Sequence, residues 1–278
     1  MSKNALSLRF VENVVTEWKG LFGESLENDY KKKLCQHLFL KIDSSFKELN
    51  QKWKSKGVNK EINWENINSR QLLVDAVHRI NLGLDGLLKN HIHVTPFLNT
   101  ATGKYDVQLF VGYQGKDFYM REMAKHEIVD IRYELVYEND YFLPLKKDLD
   151  NDIENYVFQI KEPFNRGKII GGFGYIQYEI PAKNNLIILD ERAFKRAKEA
   201  SKQQYFWQNN PNEMMYKTIV HRTTDRIQLD PMKINESFSV VENDYNDEPE
   251  NVSETEPAVQ EAKVEIETEH NITDSPGF

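Results

Sequence analysis

Apolar residues recur every three or four positions in the stretch that begins at Asn28, and this spacing predicts one long amphipathic helix. The apolar stripe comprises Tyr30, Leu34, Leu38, Ile42, Phe46, Leu49 and Trp53. The other face is rich in lysine, so we expect the stripe to pack against neighbouring elements while the lysines face solvent. A second helix is predicted to begin with Ser69 as its N-cap and to end at Gly83.

The pattern changes after Gly86 to short β-rich runs. Residues 91–97 and 105–113 flank a polar connector that contains Gly103, which predicts a hairpin. Further strands are predicted at 127–137, 155–160 and 168–180, with helices at 114–125, at 190–203 and from Asn210, the predicted N-cap, to about Gln228. This order predicts an α+β fold with N-terminal helices, a central core with an antiparallel sheet, and C-terminal helices.

Charge is distributed unevenly along the 278 residues, which carry 36 Lys+Arg, 44 Asp+Glu and a net charge of -8. From Glu236 to the end there are thirteen acids and one base, Lys263, for a net of -12. Residues 1–235 therefore carry +4, with a basic excess of five in residues 156–235. The acidic segment has several prolines and almost no aromatic residue after Tyr245, so we predict that 236–278 is a disordered tail.

Composition also excludes several classes of protein. No apolar run approaches the roughly 18 residues of a membrane span, and the first residues lack a signal-peptide pattern, so we expect a soluble, unsecreted protein. The single cysteine, Cys35, excludes an internal disulfide framework and a multi-cysteine zinc site. We expect Cys35 to be a small core residue.

Three patterns that suggest a ligand are incomplete. Gly171-Gly172-Phe173-Gly174 lacks a following Gly-Lys-Ser/Thr, and the next residues alternate as in a strand, so we expect a close backbone approach there instead of an ATP site. The aspartates at 148, 150 and 152 are followed by Ile153 and Gln159, where a calcium loop needs Gly and Glu. His91 and His93 have no evident third metal ligand, which favours a structural role.

Aromatic and basic residues recur side by side, as in 113–116, 118–121, 166–175 and 205–207. Cations that follow a phosphate backbone, together with flat rings that accept any base, are typical of sequence-independent binding to single strands. No arrangement of nucleophile, base and orienting group is recognisable, so we predict a protein that is not an enzyme and needs no cofactor or metal.

Four blocks in order and spacing resemble the RecT family of phage single-strand annealing proteins. They are Gly112-Tyr113-Gln114-Gly115, then Val136 to Phe142, then Arg166-Gly167 ahead of the Gly171–Tyr175 run, then Asn212-Glu213-Met214 with Lys217-Thr218 and Arg222. The resemblance covers roughly residues 65 to 230. Family members more often have Lys where Gln114 stands, and Gly83-Leu84-Asp85-Gly86 departs from the family's Gly-Leu-Glu-Pro.

The resemblance implies a protein that binds single-stranded DNA and anneals it to its complement without ATP, as a ring or helical filament, leaving an annealed duplex. It also implies a β-β-β-α core, a partner 5'-3' exonuclease and the bacterial host cytoplasm. On this basis residues 1–64 are expected to be a helical region that makes subunit contacts, and 65–235 the DNA-binding core.

The site prediction combines this resemblance with the aromatic and basic pattern. Phosphate contacts are predicted for Lys116, Arg121, Arg166, Lys168, Lys217, Arg222 and Arg226. Base stacking is predicted for Tyr113, Phe173, Tyr175 and Trp207. Helical periodicity places Arg222 and Arg226 on one side of the last helix, and Lys217 with His221 about 140° away.

Two questions stay open at this point. The first is the class of protein: an annealing protein, an interaction scaffold whose acidic tail binds a basic partner without DNA contact, or a nuclease. The tail itself either recruits the exonuclease or a host single-strand-binding protein, or competes with DNA for the basic groove.

Overall fold

The computed structural model describes residues 3–201 and 204–247. Three helices form the N-terminal part: α1 (Lys3–Phe22), α2 (Asp29–Ser55) and α3 (Ser69–Asn81). The predicted stripe on α2 is buried from Leu34 to Trp53, except that Leu49 is half-buried, and Tyr30 is exposed. Cys35 is fully buried in the same core, as predicted.

The ends of the first helices follow their capping residues. The Asn28 side chain accepts a hydrogen bond from Lys31 N at 3.1 Å and begins α2. The N-cap of α3 is Asn68, so the prediction of Ser69 was wrong by one residue; Ser69 is the first helical residue. Gly83 ends the turn that follows α3 with φ of 78°, a conformation that glycine adopts without strain.

Seven strands follow, with one helix among them. They are β1 (Ile92–Asn99), β2 (Lys104–Val111), α4 (Tyr113–Glu122), β3 (Ile128–Tyr137), β4 (Tyr141–Leu145), β5 (Asn155–Gln159), β6 (Ile169–Tyr178) and β7 (Asn185–Asp190). The antiparallel pairing that was predicted is confirmed, and the strands form three sheets: β1–β2, β3–β6–β7 and β4–β5. β3 pairs with β6, in the register Ile131 to Ile176, so the hairpin and the third strand belong to different sheets.

Two strands were not predicted from the sequence. β4 contains Pro144, which argues against a strand, and β7 is a short apolar run without alternation. Pro144 is tolerated because β4 and β5 form a two-stranded sheet in which each strand has a free edge.

Four helices complete the described chain: α5 (Glu191–Ala200), α6 (Gln204–Asn209), α7 (Pro211–Thr224) and α8 (Glu236–Asp247). α7 begins with Pro211 in its first turn, as predicted, although the Asn210 side chain makes no capping hydrogen bond. It ends at Thr224 and not near Gln228.

The glycines of β6 allow α7 to pack closely on the sheet. A Cβ on Gly174 would lie 1.8 Å from Thr223 Oγ1, and one on Gly172 would lie 2.3 Å from Ile219 Cδ1. Backbone closeness was predicted for these glycines, and at 172 and 174 the nearest neighbours are side chains of α7.

The start of the acidic tail is ordered, so the prediction of disorder from 236 onward was wrong for 236–247. Ser237, Phe238 and Val241 of α8 are buried in the core, and Glu242 accepts a hydrogen bond from the Tyr119 hydroxyl. Phe238 and Val241 are three positions apart and so share one face of the helix, a local pattern that the acidic composition of the segment did not reveal. The remainder of the predicted tail, 248–278, lies outside the described residues.

Candidate nucleic-acid interface

The Gly112–Gly115 motif begins α4 at the wall of an open cleft of about 400 Å³. A Cβ on Gly112 would lie 2.2 Å from Asn90 O, and one on Gly115 would lie 2.6 Å from His91 O. Both positions therefore need glycine for α4 to start against the 90–91 segment. This packing brings Tyr113 to the cleft.

Aromatic rings from three elements meet in this cleft. Tyr216 of α7 lies 6.3 Å from Tyr113 and 6.2 Å from Tyr133, measured between ring centroids, and is edge-on to both. Phe118 lies 5.5 Å from the His91 ring on another wall. Tyr133 and Tyr216 were missed by the sequence analysis because neither stands in the aromatic-basic segments that it selected.

Three polar side chains of the cleft, Asp117, Arg121 and Tyr133, are paired with one another. Arg121 Nε donates to both carboxylate oxygens of Asp117 at 3.0 Å, and the Tyr133 hydroxyl donates to Asp117 as well. Burial, followed by the charge of Asp117, raises the pKa of Tyr133 far above its ordinary value. Arg121 is thus a partner of Asp117, and the pair adds no net charge to the cleft.

Arg166 joins two of the motif blocks. Its Nη2 donates to Asp140 Oδ2 at 2.6 Å and to Leu135 O at 3.0 Å, and its guanidinium lies 4.0 Å from the Tyr137 ring centroid. Burial by itself raises the pKa of Asp140. The hydrogen bonds from Arg166 and from Tyr137 N outweigh burial and hold this pKa below its ordinary value. Arg166 therefore stabilises the turn after β3, whereas the sequence predicted that it contacts a DNA phosphate.

Lys116 is buried inside the protein. Its Nζ lies 2.9 Å from Asp225 Oδ1 and 3.9 Å from Glu242 Oε1, with the side chain 4% exposed. The amphipathic spacing of α4 does not reveal this, because both acids are more than a hundred residues away in sequence. In this position the buried ammonium is neutralised by carboxylates that are themselves partly exposed.

Three of the four predicted stacking residues are core residues in the structure. Phe173 is fully buried and stacks on Phe142 at 4.7 Å between centroids, and the Tyr175 hydroxyl accepts a hydrogen bond from Asn184. Trp207 is 3% exposed, although part of it lines a second cleft of about 360 Å³ together with Lys195. Tyr113 differs from the other three in being half-buried.

Three of the predicted cations are exposed: Lys168, Arg222 and Arg226. Within 3–201 and 204–247, no side-chain ion pair is found for any of the three. Arg226 follows α7 in a turn in which its N–H donates to Thr223 O, so its relation to Arg222 is set by that turn and not by helical periodicity.

Lys217 is half-buried on α7 and acts on two histidines. Burial, followed by the positive charges of Lys217 and Lys41, lowers the pKa of His93 to about 4. Burial and the same lysine also lower the pKa of His221 well below its ordinary value. The structure thus brings Lys41 of α2, which the site prediction did not include, into the electrostatic surroundings of Lys217.

The described part of the chain contains no group of three or more His, Cys, Asp or Glu side chains placed to hold a metal ion. It also has no helix that is both long enough and apolar enough to cross a bilayer.

The fold and the motif blocks that meet in it agree with a comparison against known families. The model of the RecT family matches residues 74–255, well over half of the chain. The match defines a class of phage proteins that bind and anneal single-stranded DNA in recombination. The chain belongs to the RecT family. A search of curated proteins finds no match.

Proposed function

We propose that this chain anneals complementary DNA strands without ATP, and that copies of it assemble into a ring or helical filament to do so. The observation that carries the proposal is the RecT match over residues 74–255. Two complementary strands repel each other through their phosphates, so an annealing protein must neutralise backbone charge while it leaves base edges free to pair. Neither step makes or breaks a covalent bond, so the protein acts without catalysis.

The phosphate contacts are proposed for the cations that the fold leaves accessible. These are Lys168, Arg222 and Arg226, which are exposed, together with Lys217 of α7, which is half-buried. We assign a structural role to three other cations because each is paired with a carboxylate: Lys116, Arg121 and Arg166.

The stacking role is proposed for Tyr113, because its ring lines an open cleft. The buried rings of Phe173, Tyr175 and Trp207 hold the sheet and helices that carry the interface. This division follows from burial, since a ring enclosed by other side chains has no face left for a base.

The decisive experiment is annealing of fluorescent complementary oligonucleotides by the full chain, with no nucleotide present and with metal chelated. We expect annealing faster than in the protein-free control. A rate equal to that control would overturn the proposal. Gel shifts on one strand separate it from a scaffold, which would not bind, and an intact strand after incubation with Mg²⁺ separates it from a nuclease.

Assembly and partners need their own measurements. Light scattering and electron microscopy, with and without DNA, test the ring or filament, and particles of monomer mass in both conditions would contradict it. We further propose that a 5'-3' exonuclease supplies the single strand in the host cytoplasm, and that a host single-strand-binding protein is a second partner. Co-purification from infected cells, with the chain truncated before Glu248 as the comparison, tests whether either partner binds 248–278.

A further inference from the structure

The cleft beside α4 contains a buried polar atom with no partner. His91 is 8% exposed and lines the cleft, and its Nδ1 has no hydrogen-bond partner within the described residues. Buried polar atoms are almost always hydrogen-bonded, so an unpaired one beside an open cleft indicates that a ligand or a water molecule completes the site.

The charge of the cleft indicates what kind of ligand fits. Asp117 faces the cleft with its carboxylate, and Arg121 balances it. Because the Asp117–Arg121 pair is neutral overall, the cleft offers no net positive charge to a phosphate, whereas a neutral polar ligand needs none. The guanidinium of Arg121, 31% exposed, donates to Asp117 through Nε and also hydrogen-bonds Tyr133, which leaves others of its five N–H groups for a neutral polar ligand.

The shape of the cleft favours a flat ligand. Tyr113, Tyr216 and Phe118 all line the cleft, which has a volume of about 400 Å³. Aromatic rings with a few convergent polar groups form the usual surroundings of a planar heterocycle. Base-aromatic stacking also tolerates every base, which suits a protein that must act on any sequence.

We propose that this cleft binds one unpaired base of a single DNA strand, stacked on Tyr113 or Tyr216 with its polar edge toward Arg121 and His91. This inference rests on the proposed function, because the base belongs to the strand that is to be annealed. A base held in this cleft is withdrawn from pairing, so it must leave the cleft when the complementary strand pairs with it.

The first test compares two strands of equal length, oligo(dT) and an abasic backbone, in binding to the full chain. The variant is Tyr216→Leu, which removes a ring from the cleft, and the matched control is Tyr30→Leu at a tyrosine that is 57% exposed on α2. We expect Tyr216→Leu to lower the affinity for oligo(dT) by about 5- to 150-fold, which corresponds to about 1–3 kcal/mol for the loss of one stacked base. Its affinity for the abasic strand should stay within about twofold of wild type, and Tyr30→Leu should change neither. An equal loss for both strands would overturn the proposal, because the cleft would then act on the backbone.

A second test uses the wild-type chain and so does not depend on the variant folding. Oligonucleotides that carry 5-iododeoxyuridine are photo-crosslinked to the protein, and the modified peptides are identified by mass spectrometry. We expect adducts on Tyr113 or Tyr216 that diminish when the complementary strand is added. Adducts confined to other parts of the chain would overturn the proposal and leave the annealing function standing. A wild-type chain that binds no single strand at all would overturn both.

Discussion

The ammonium of Lys116 lies 2.9 Å from Asp225 Oδ1, and this contact joins the helix of the Gly112–Gly115 motif to the turn that follows α7. Glu242 of α8 lies 3.9 Å from the same ammonium, so one buried cation links three elements. Lys116, which the sequence predicts to contact DNA, is therefore an internal link between α4, the turn after α7 that contains Arg226, and α8.

Removing Asp225 should destabilise the protein more than removing Lys116. Asp225→Ala takes away the nearest carboxylate of a buried ammonium, and we expect the free energy of unfolding to fall by about 1–3 kcal/mol. Lys116→Met replaces the buried charge by an apolar chain of similar size, so its loss should be smaller. Urea denaturation measures both. Asp130→Ala, at the exposed pair with Arg132, is the control and should change stability by less than about 0.5 kcal/mol.

Adding one methyl group to β6 should displace α7. Because a Cβ at Gly174 would lie 1.8 Å from Thr223 Oγ1, we expect Gly174→Ala to lower the free energy of unfolding by about 1–3 kcal/mol. DNA affinity should fall too, since Arg222 is the neighbour of Thr223 on α7. Gly20→Ala is the matched control: it has no neighbour within 4 Å, lies in α1, and should stabilise the protein by about 0.5–1 kcal/mol. Equal effects of the two substitutions would contradict the packing argument.

The exposed arginines should contribute to binding without regard to DNA sequence. We expect Arg222→Gln with Arg226→Gln to weaken binding to all single strands alike and to reduce the slope of log affinity against log salt by about 1.4, since each lost phosphate contact contributes about 0.7. Salt titrations by fluorescence anisotropy give the slope. Lys33→Gln with Lys54→Gln, two exposed lysines of α2, removes the same charge elsewhere. An unchanged slope for the arginine variant would remove both arginines from the interface.

Two truncations should separate the acidic C-terminal residues from α8. Deleting 248–278 removes nine acids and one base and brings the net charge from -8 to zero, so we expect tighter DNA binding at low salt that fades at high salt. Deleting 236–278 also removes the buried Phe238 and Val241, and should cost about 3 kcal/mol of stability. Unchanged affinity after the shorter deletion would indicate that the segment serves as a tether. Equal thermal stability of the two truncated proteins would contradict the docking of α8.

Acid should weaken the fold in part through His93. Its pKa is about 4 in the folded protein and about 6.5 when unfolded, so the unfolded chain binds a proton first as pH falls. His93 therefore makes no pH-dependent change to the free energy of unfolding above about pH 6.5. As the pH falls from there toward 4, protonation of the unfolded chain lowers that free energy. Denaturation at about pH 7 and pH 5 should show a smaller difference for His93→Gln than for wild type. His126→Gln, just before β3, is the control, and an equal pH dependence in all three proteins would contradict the assignment.

Helix and strand type followed from local patterns. The stripe on α2, the hairpin around Gly103 and the onset of α7 at Pro211 were all confirmed, because each depends on residues that are near one another in sequence. β4 and β7 were missed because β4 contains Pro144 and β7 is a short apolar run without alternation, although each pairs with its neighbouring strand along the chain.

For the candidate site, the sequence identified candidate side chains, and tertiary packing determined which of them are buried and which are exposed. Lysine and arginine look alike in a charge count, yet Lys116 is enclosed by Asp225 and Glu242, Arg166 by Asp140, and Arg222 is exposed. Tyr113 and Tyr216 are about a hundred residues apart in sequence and meet only because α7 packs on α4 and β6. Periodicity thus predicted most of the elements that form. Burial and long-range pairing depend on all the elements together, and they decided which charged side chains and rings remain exposed.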